Sequence, residues 1–191
     1  MKIKLVVGLG NPGKEYKKTR HNVGFRVIDE LAKAIGKVKF KKRYLGEYME
    51  LDLPAFSYGR VGLLKPQTYM NRSGLSVGDA KKSLGIEAED IIIVHDELDL
   101  PLGKIKIKKG GGTAGHKGLE SIKDALGTSE FIRVRIGIDK KAGNDAASYV
   151  LERFRTDEEV ILENEILPLA KEAVISIIKD GLEKAMNNYN R

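Results

Sequence analysis

Near the start of the chain, residues 3–13 read IKLVVGLGNPG, a short apolar strand that runs straight into a glycine-rich turn. A short apolar run bounded by glycine is typical of a strand buried in a sheet. Residues 91–94, IIIV, repeat the pattern with β-branched residues, which favour strands. Polar residues follow both runs: Asn11 follows the first, and His95 and Asp96 follow the second. Because sites in α/β proteins form at strand ends, we expect one here.

The apolar pattern elsewhere alternates between strand and helix. It predicts strands over 38–53, 61–64, 104–109 and 131–138, and helices over 23–35, 69–84 and 119–126, each helix ending at a glycine. Thr156 to Glu159 matches a capping box that opens a long helical region, which Pro168 should kink or split.

This interleaving predicts an α/β fold over a single domain, residues 1–191. We expect a three-layer sandwich with a twisted, mixed central sheet and helices on both faces. The short strands between residues 38 and 64 favour antiparallel pairs, which is why the sheet should be mixed.

Composition excludes several classes of protein. The chain has no cysteine, which excludes a disulfide scaffold, a thiol nucleophile, an iron–sulfur cluster and a cysteine-ligated zinc site. No stretch approaches the roughly 20 uninterrupted apolar residues of a membrane span, and the first apolar run is too short for a signal peptide. We therefore expect a soluble, cytoplasmic protein with no membrane contact.

The charge balance favours a polyanionic partner. The 34 basic residues exceed the 27 acidic ones and give a net charge of +7. Basic residues gather at 14–20, 37–43 and 102–118, and such clusters can contact a phosphate backbone. Aromatic residues make up only 6% of the chain, so stacking on bases is not indicated.

The glycines at 8–13 formally match the dinucleotide motif GxGxxG. That motif needs a helix directly after it and an acidic residue about 20 positions on, whereas residue 33 is a lysine and residues 14–20 show no helical pattern. A nucleotide site, a simple turn and a rigid loop that presents Asn11 all stay open at this point.

His21 is the candidate general base, and Asp96 is the carboxylate that could orient it. The acidic run His95–Asp99 could alternatively bind a hard metal ion. The chain has neither a cysteine nor a G-x-S-x-G elbow, so water is the expected nucleophile and a hydrolase the expected class. Asn71, at a strand-to-helix junction, could hold a carbonyl or an oxyanion.

Taken together, these segments resemble the bacterial peptidyl-tRNA hydrolase family, in the family's order and at its spacing across nearly the whole chain. The segments are 8–13 (GLGNPG), Tyr16, 20–24 (RHNVG), 65–71 (KPQTYMN), 95–101 (HDELDLP) and 133–137 (RVRIG). The resemblance implies a monomeric esterase without metal or other cofactor. Such an enzyme cleaves the ester between a peptide and the 3′ end of its tRNA.

The resemblance also implies residue roles. His21 would be the catalytic base and Asp96 the residue that orients it. Asn11 and Asn71 would position the substrate, Tyr16 and Met70 would line the cleft, and Lys108 and Arg135 would grip the 5′ phosphate of the tRNA.

One position departs from the family pattern. Residues 115–118 read GHKG, where the family has GHNG, so we expect Lys117 either to contact a phosphate or to point away. Relatives with this fold bind RNA without hydrolysis, which makes a binding module the competing class. The presence of His21, Asp96, Asn11 and Asn71 favours the enzyme.

Overall fold

The computed structural model of the chain describes residues 3–34, 36, 39–53, 59–140, 143 and 145–191. Seven strands in this part of the chain form one sheet, in the order β2-β3-β4-β1-β5-β7-β6. The strands are β1 (Ile3–Gly8), β2 (Lys41–Arg43), β3 (Gly46–Leu53), β4 (Gly59–Pro66), β5 (Ile91–Glu97), β6 (Ile105–Lys109) and β7 (Ile132–Gly137).

The sheet is mixed, as predicted. Strands β4, β1, β5 and β7 run parallel, whereas β2, β3 and β4 pair antiparallel at one edge and β6 pairs antiparallel with β7 at the other. The predicted strand over 38–53 is divided by a two-residue turn at Tyr44 and Leu45, both with positive φ, which is the backbone of a tight hairpin. Val38 lies outside the described residues.

Helices cover both faces of the sheet, which confirms the three-layer prediction. They are α1 (Val23–Ala34), α2 (Ser73–Leu84), α3 (Lys117–Leu126), α4 (Ala146–Leu151), α5 (Thr156–Ile161), α6 (Leu167–Asp180) and α7 (Leu182–Tyr189). One core cluster joins the sheet to α1, α4 and α6, and a second joins the opposite face to α2 and α3. Successive side chains of a strand point to opposite faces of the sheet, so alternate residues pack into the two clusters.

Three helix starts differ from the predictions. Helix α3 begins at Lys117, two residues before the predicted start. Helix α2 begins at Ser73, after a 3₁₀ turn over Met70–Arg72, rather than at Tyr69. The capping box begins one residue earlier than predicted: the Glu158 carboxylate accepts the Arg155 backbone N–H at 2.8 Å, so Arg155 and not Thr156 precedes the helix.

The C-terminal helical region is split, as predicted at Pro168. A π-helical turn over Leu162–Ile166 separates α5 from α6, and Pro168 lies in the first turn of α6. Proline has no backbone N–H to donate, which a first turn tolerates. Among the described residues, no helix combines the length and apolar character of a membrane span.

Two glycines set α1 against the ends of the strands. A Cβ atom on Gly8 would lie 2.2 Å from the Gly24 carbonyl oxygen, and a Cβ atom on Gly24 would lie 2.4 Å from the Val94 carbonyl oxygen. Any larger residue at either position would push the helix away from the sheet. This close approach brings His21, just before α1, to the end of β5.

Candidate active site

All three histidines of the chain meet at the end of β5. The imidazole of His116 lies between the other two, with ring centroids 5.1 Å from His21 and 4.9 Å from His95. The carboxylate of Asp96 joins them: its Oδ1 atom lies 2.9 Å from Nδ1 of His21 and 3.0 Å from Nε2 of His116. The predicted pair of His21 and Asp96 is therefore present, with a second histidine added.

The hydrogen bonds of His116 fix its tautomer. Its Nδ1 accepts the backbone N–H groups of Gly118 and Leu119, at 3.2 and 3.4 Å, and so caps the N-terminus of α3. A ring nitrogen that accepts a hydrogen bond carries no proton. In the neutral ring the proton is therefore on Nε2, which donates to Asp96.

His21 is fixed in the other tautomer. Its Nδ1 lies 2.9 Å from both oxygens of Asp96, which can only accept, so Nδ1 carries the proton. The neutral ring then has its lone pair on Nε2, to which no residue of the described chain donates. The ring is half-buried, so a water molecule can reach this nitrogen. The arrangement can serve as a general base.

Asp96 is ionised although its side chain is 1% exposed. Burial by itself would raise the pKa of this carboxyl, but His21 and His116, through their charges and hydrogen bonds, outweigh burial and hold the pKa well below its ordinary value. A buried carboxylate at this position keeps the Nδ1 proton of His21 in place. It would also stabilise the imidazolium that forms when His21 takes up a second proton.

His95 is completely buried and makes one hydrogen bond. Its Nδ1 donates to the backbone carbonyl oxygen of Asp96 at 2.7 Å, while Nε2 has no partner among the described residues. Burial, reinforced by the neighbouring His116, lowers the pKa of His95 to about 3. The ring is therefore neutral at physiological pH, and it packs against the imidazole that holds Asp96.

We expect His95 to make the folded protein sensitive to acid. The pKa of His95 is about 3 in the folded protein and about 6.5 in the unfolded chain, so between these values only the unfolded chain binds the proton. The stability contribution is present above pH 6.5 and is lost as the pH falls, by about 2 kcal/mol between pH 7 and pH 5. Urea denaturation at both pH values measures this loss. His95→Gln should reduce it by that amount, and an unchanged loss would contradict the assignment.

Asn11 lies in the connection between β1 and α1 and is tied both to the end of that connection and to the turn before α2. Its side-chain Oδ1 accepts the Met70 backbone N–H at 2.7 Å. Its backbone N–H donates to Oδ1 of Asn22, and its backbone carbonyl oxygen accepts from Nδ2 of Asn22, both at 2.9 Å. The loop is thus held in place by these three hydrogen bonds, which favours the interpretation of the glycine motif as a rigid loop that presents Asn11.

The nucleotide interpretation of the glycine motif is disfavoured. A helix does not open after Gly13, because α1 begins only at Val23, and a dinucleotide site needs a helix there.

Tyr16, Tyr69 and Asn71 lie at the surface of the site. The rings of Tyr16 and Tyr69 meet edge to face with centroids 6.4 Å apart.

The backbone at Tyr69 is strained. This residue has φ +61° and ψ 157°, a conformation that suits glycine and costs other residues about 1–3 kcal/mol. This backbone turn precedes Met70, whose N–H reaches Asn11. The side chain of Asn71 is exposed, while Met70 is buried, and a Cβ atom on Gly118 would lie 2.5 Å from its sulfur.

Arg20 anchors the segment that carries His21. Its buried guanidinium donates to Glu158 at 2.7 Å and lies 4.4 Å from the centre of the Tyr149 ring. The Arg20 backbone N–H also donates to the Glu152 carbonyl oxygen at 2.9 Å. These contacts tie residues 19–22 to the α4–α5 segment, so the position of His21 depends on that segment.

A basic surface lies on β6 and β7, beside the histidines. The register of the two strands places Lys106 opposite Arg135 and Lys108 opposite Arg133, so all four side chains emerge on one face of the sheet. Lys108 is exposed, whereas Arg135 is half-buried and donates to Glu97 at 2.9 Å. Lys108 and Arg135, predicted to contact phosphate, are thus neighbours on this surface.

Arg133 fastens the glycine loop that follows β6. Its guanidinium donates to the carbonyl oxygens of Gly110 and Gly112, the latter at 2.8 Å. A Cβ atom on Gly111 would lie 2.8 Å from Nζ of Lys108, so this lysine lies over the loop. The sequence predicts a flexible loop over residues 110–115, but its first half is tied to the sheet.

Lys117 is the first residue of α3 and points along the helix surface. Its side chain is 69% exposed, and its ammonium group lies 3.0 Å from the Glu120 carboxylate one turn on. This position is adjacent to the cap made by His116. Of the two expectations for Lys117, the geometry favours the one in which it points away from the centre.

The metal interpretation has little support in this geometry. Glu97 already accepts from Arg135 and from the Asp99 backbone N–H, and Asp96 accepts from two imidazoles. His21, Asp96 and His116 are close enough together to hold an ion. However, the two nitrogens that face Asp96 both carry protons, so they have no lone pair for a metal.

The sequence pattern does not identify three of these residues. The motifs at 20–24 and 115–118 contain Arg20, Asn22 and His116, but the sequence alone does not assign a function to these three residues. The count of only three histidines is a signal that could have pointed to His116. For Asn22 and Arg20 there is no such signal, because the role of Asn22 depends on how the β1–α1 connection folds back on itself and that of Arg20 on a segment more than 130 residues away.

The chain is similar to proteins of one known family over nearly its whole length. The profile of the Peptidyl-tRNA hydrolase family matches residues 5–191. A peptidyl-tRNA hydrolase of Thermodesulfovibrio yellowstonii is 46% identical over 98% of each chain, and one of Geobacter sulfurreducens is 45% identical over 100% of this chain and 96% of the other. The crystal structure of peptidyl-tRNA hydrolase from Acinetobacter baumannii superposes with a TM-score of 0.89 at 37% identity, covering 98% of this chain and 94% of that one.

Proposed function

The chain belongs to the peptidyl-tRNA hydrolase family, and from this we propose that it hydrolyses the ester between an N-blocked peptide and the 3′ end of tRNA. The products are free peptide and free tRNA, so the reaction recycles peptidyl-tRNA that has left the ribosome. The observation that carries the chemistry is the hydrogen bond from Nδ1 of His21 to the buried carboxylate of Asp96. It leaves Nε2 of His21 as a base.

The reaction proceeds by attack of water. Nε2 of His21 removes a proton from a water molecule, and the water oxygen attacks the ester carbonyl carbon. The imidazolium next to Asp96 then returns the proton to the ribose oxygen as the C–O bond breaks. General-base help of this kind contributes about 10²–10⁴-fold, and positioning of the ester contributes the rest.

Neighbouring polar groups bind the substrate. Asn11 and Asn71 position the ester and its peptide, and hydrogen-bond donors near them stabilise the oxyanion. Tyr16 and Met70 complete the cleft, with Met70 acting from beneath it. The substrate meets the site in the cytoplasm, and the enzyme works as a monomer without metal or other cofactor.

A turnover assay distinguishes the enzyme from a binding module. Purified protein and peptidyl-tRNA are mixed in the presence of a chelator, and release of deacylated tRNA is followed. We expect catalytic turnover that depends on His21. Tight binding without turnover would support the binding module.

The tRNA contacts should depend on Lys108 and Arg135. Each Ala substitution should reduce the slope of log K against log salt by about 1, because each side chain neutralises about one phosphate. Binding measured over a salt series gives the slope. Lys179→Ala, an exposed lysine on α6 across the sheet, is the matched control and should leave the slope unchanged.

The same two substitutions should spare a minimal ester that lacks the tRNA body. Near-parent rates on that substrate are expected, since neither side chain bonds to His21 or Asp96. Equal losses on the full and the minimal substrate would show instead that Lys108 and Arg135 serve the fold or the chemistry.

Lys117 should have only a weak electrostatic effect. Because its ammonium group pairs with Glu120, Lys117→Ala and Lys117→Asn should act alike, raising KM by less than about threefold at low salt and not at all at high salt. Steady-state kinetics at two salt concentrations check this. If Lys117→Ala raised KM and Lys117→Asn did not, the lysine would contact the acceptor end of the tRNA. A fall in kcat would place it in the chemical step.

A further inference from the structure

Asn11 has almost all of its hydrogen-bonding groups satisfied inside the protein. The carboxamide of Asn22 bonds to both its backbone N–H and its backbone carbonyl oxygen at 2.9 Å, as a neighbouring strand would. Its own Oδ1 accepts from Met70 at 2.7 Å. Asn11 is 8% exposed and Asn22 is 2% exposed.

These contacts decide which atom Asn11 can offer to a substrate. If the carboxamide turned over, its NH₂ group would face the Met70 N–H, and two donors would oppose each other in a buried place. The carboxamide therefore keeps its oxygen inward, and Nδ2, for which the described residues supply no acceptor, is the group that remains. Asn11 can therefore donate from Nδ2 to a carbonyl or an oxyanion, while its Oδ1 is directed inward to Met70.

We propose that Asn22, which follows the catalytic His21 in the chain, is a positioning residue that fixes Asn11 as a hydrogen-bond donor toward the ester. The proposal rests on the proposed function. Asn22 does not touch the reacting atoms. It holds the backbone of Asn11 at both polar groups, and Asn11 in turn reaches Met70, so the β1–α1 connection and the turn before α2 keep one geometry.

The chain contains a matched control for this contact. The carboxamide of Asn190 bonds in the same way to the backbone N–H and carbonyl oxygen of Ile107, at 2.6 and 2.9 Å, on edge strand β6. Asn190→Ala removes an equivalent pair of hydrogen bonds from a strand rather than from the loop that holds Asn11. It should leave kcat on a minimal N-blocked aminoacyl ester unchanged.

The test is a double-mutant cycle on that minimal ester, measured by single turnover. Asn22→Ala should lower the rate of the chemical step by about tenfold or more in the parent protein, with little change in KM. In the Asn11→Ala background the same change should cost less than about twofold, because Asn22 acts through Asn11. Equal losses in both backgrounds would show a general structural role and overturn the proposal.

Hydrogen exchange gives a readout that does not depend on activity. In Asn22→Ala the exchange of the Asn11 and Met70 backbone N–H groups should accelerate by about tenfold or more, whereas Asn190→Ala should leave both unchanged. If the parent is active and Asn22→Ala leaves the exchange of the Met70 backbone N–H unchanged, the proposal is overturned. An inactive parent would overturn the proposed function alone, with the exchange result still deciding the role of Asn22.

A second variant covers the case in which Asn22→Ala fails to fold. Asn22→Asp has the same shape and can still accept from the Asn11 N–H, but it places an oxygen against the Asn11 carbonyl oxygen. The same coupling is expected, together with faster exchange at the Met70 backbone N–H, whereas the Asn11 N–H keeps its acceptor. Independence from Asn11 in this variant would again contradict the proposal.

Discussion

Replacing His21 by alanine should lower kcat for peptidyl-tRNA by at least about 100-fold. The reason is that the hydrogen bonds of the site leave a lone pair on Nε2 of His21, whose ring is half-buried, whereas the other unpartnered ring nitrogen, Nε2 of His95, is buried. General-base help is worth about 10²–10⁴-fold. The bond from Nδ1 to Asp96 at 2.9 Å fixes the tautomer that this role needs. Single-turnover hydrolysis of the parent and variant measures the effect.

Binding provides the control for this variant. His21 does not belong to the basic surface of β6 and β7, so His21→Ala should bind tRNA with nearly the parent affinity. It should stay folded at the assay temperature but unfold at a lower temperature than the parent, because buried Asp96 loses one of its two imidazole partners. If the folded variant keeps more than about a tenth of the parent rate, another group must activate the water.

The second large effect should come from Asp96→Asn, with a loss of about 10- to 100-fold in kcat. The carboxylate accepts from two imidazole N–H groups, from His21 and from His116. Asparagine has a single side-chain oxygen. Because Nδ1 of His21 lies 2.9 Å from both carboxylate oxygens of Asp96, the NH₂ group of asparagine faces that nitrogen in either orientation. This favours the His21 tautomer with its proton on Nε2, which has lost the base.

The Asp96→Asn result also decides the metal interpretation. The loss should be smaller than for His21→Ala, because some molecules will keep the productive tautomer. Added magnesium or manganese should not restore the rate. Full recovery with either ion would instead assign Asp96 and its neighbours to a metal site.

Much of the fold follows from local patterns. The run at 91–94 and the glycine that ends each predicted helix mark β5 and the ends of α2 and α3 correctly, because they depend on neighbouring residues alone. Helix starts are less well predicted. The start of α2 was displaced by the strained turn at Tyr69, whose conformation is imposed by contacts of the next residue with Asn11.

The candidate site divides in the same way. His21 and Asp96 can be paired from sequence because strand ends gather at one edge of a sheet. The role of His116 cannot, because it depends on the geometry of a helix cap twenty residues beyond Asp96. The resemblance assigns Lys108 and Arg135 to phosphate binding, but the partner of Arg135, Glu97, depends on which strand lies beside β7.

The bond between Asn190 and Ile107 has a consequence for self-association. In the part of the chain that the structure describes, strand β6 is the last strand at its side of the sheet, and an open edge of this kind can recruit a strand from another molecule. The carboxamide of Asn190 occupies both polar groups of Ile107, in the middle of that edge. The chain therefore blocks intermolecular strand addition with a single side chain near its C-terminus, and a tail shortened before residue 190 would leave β6 open to aggregation.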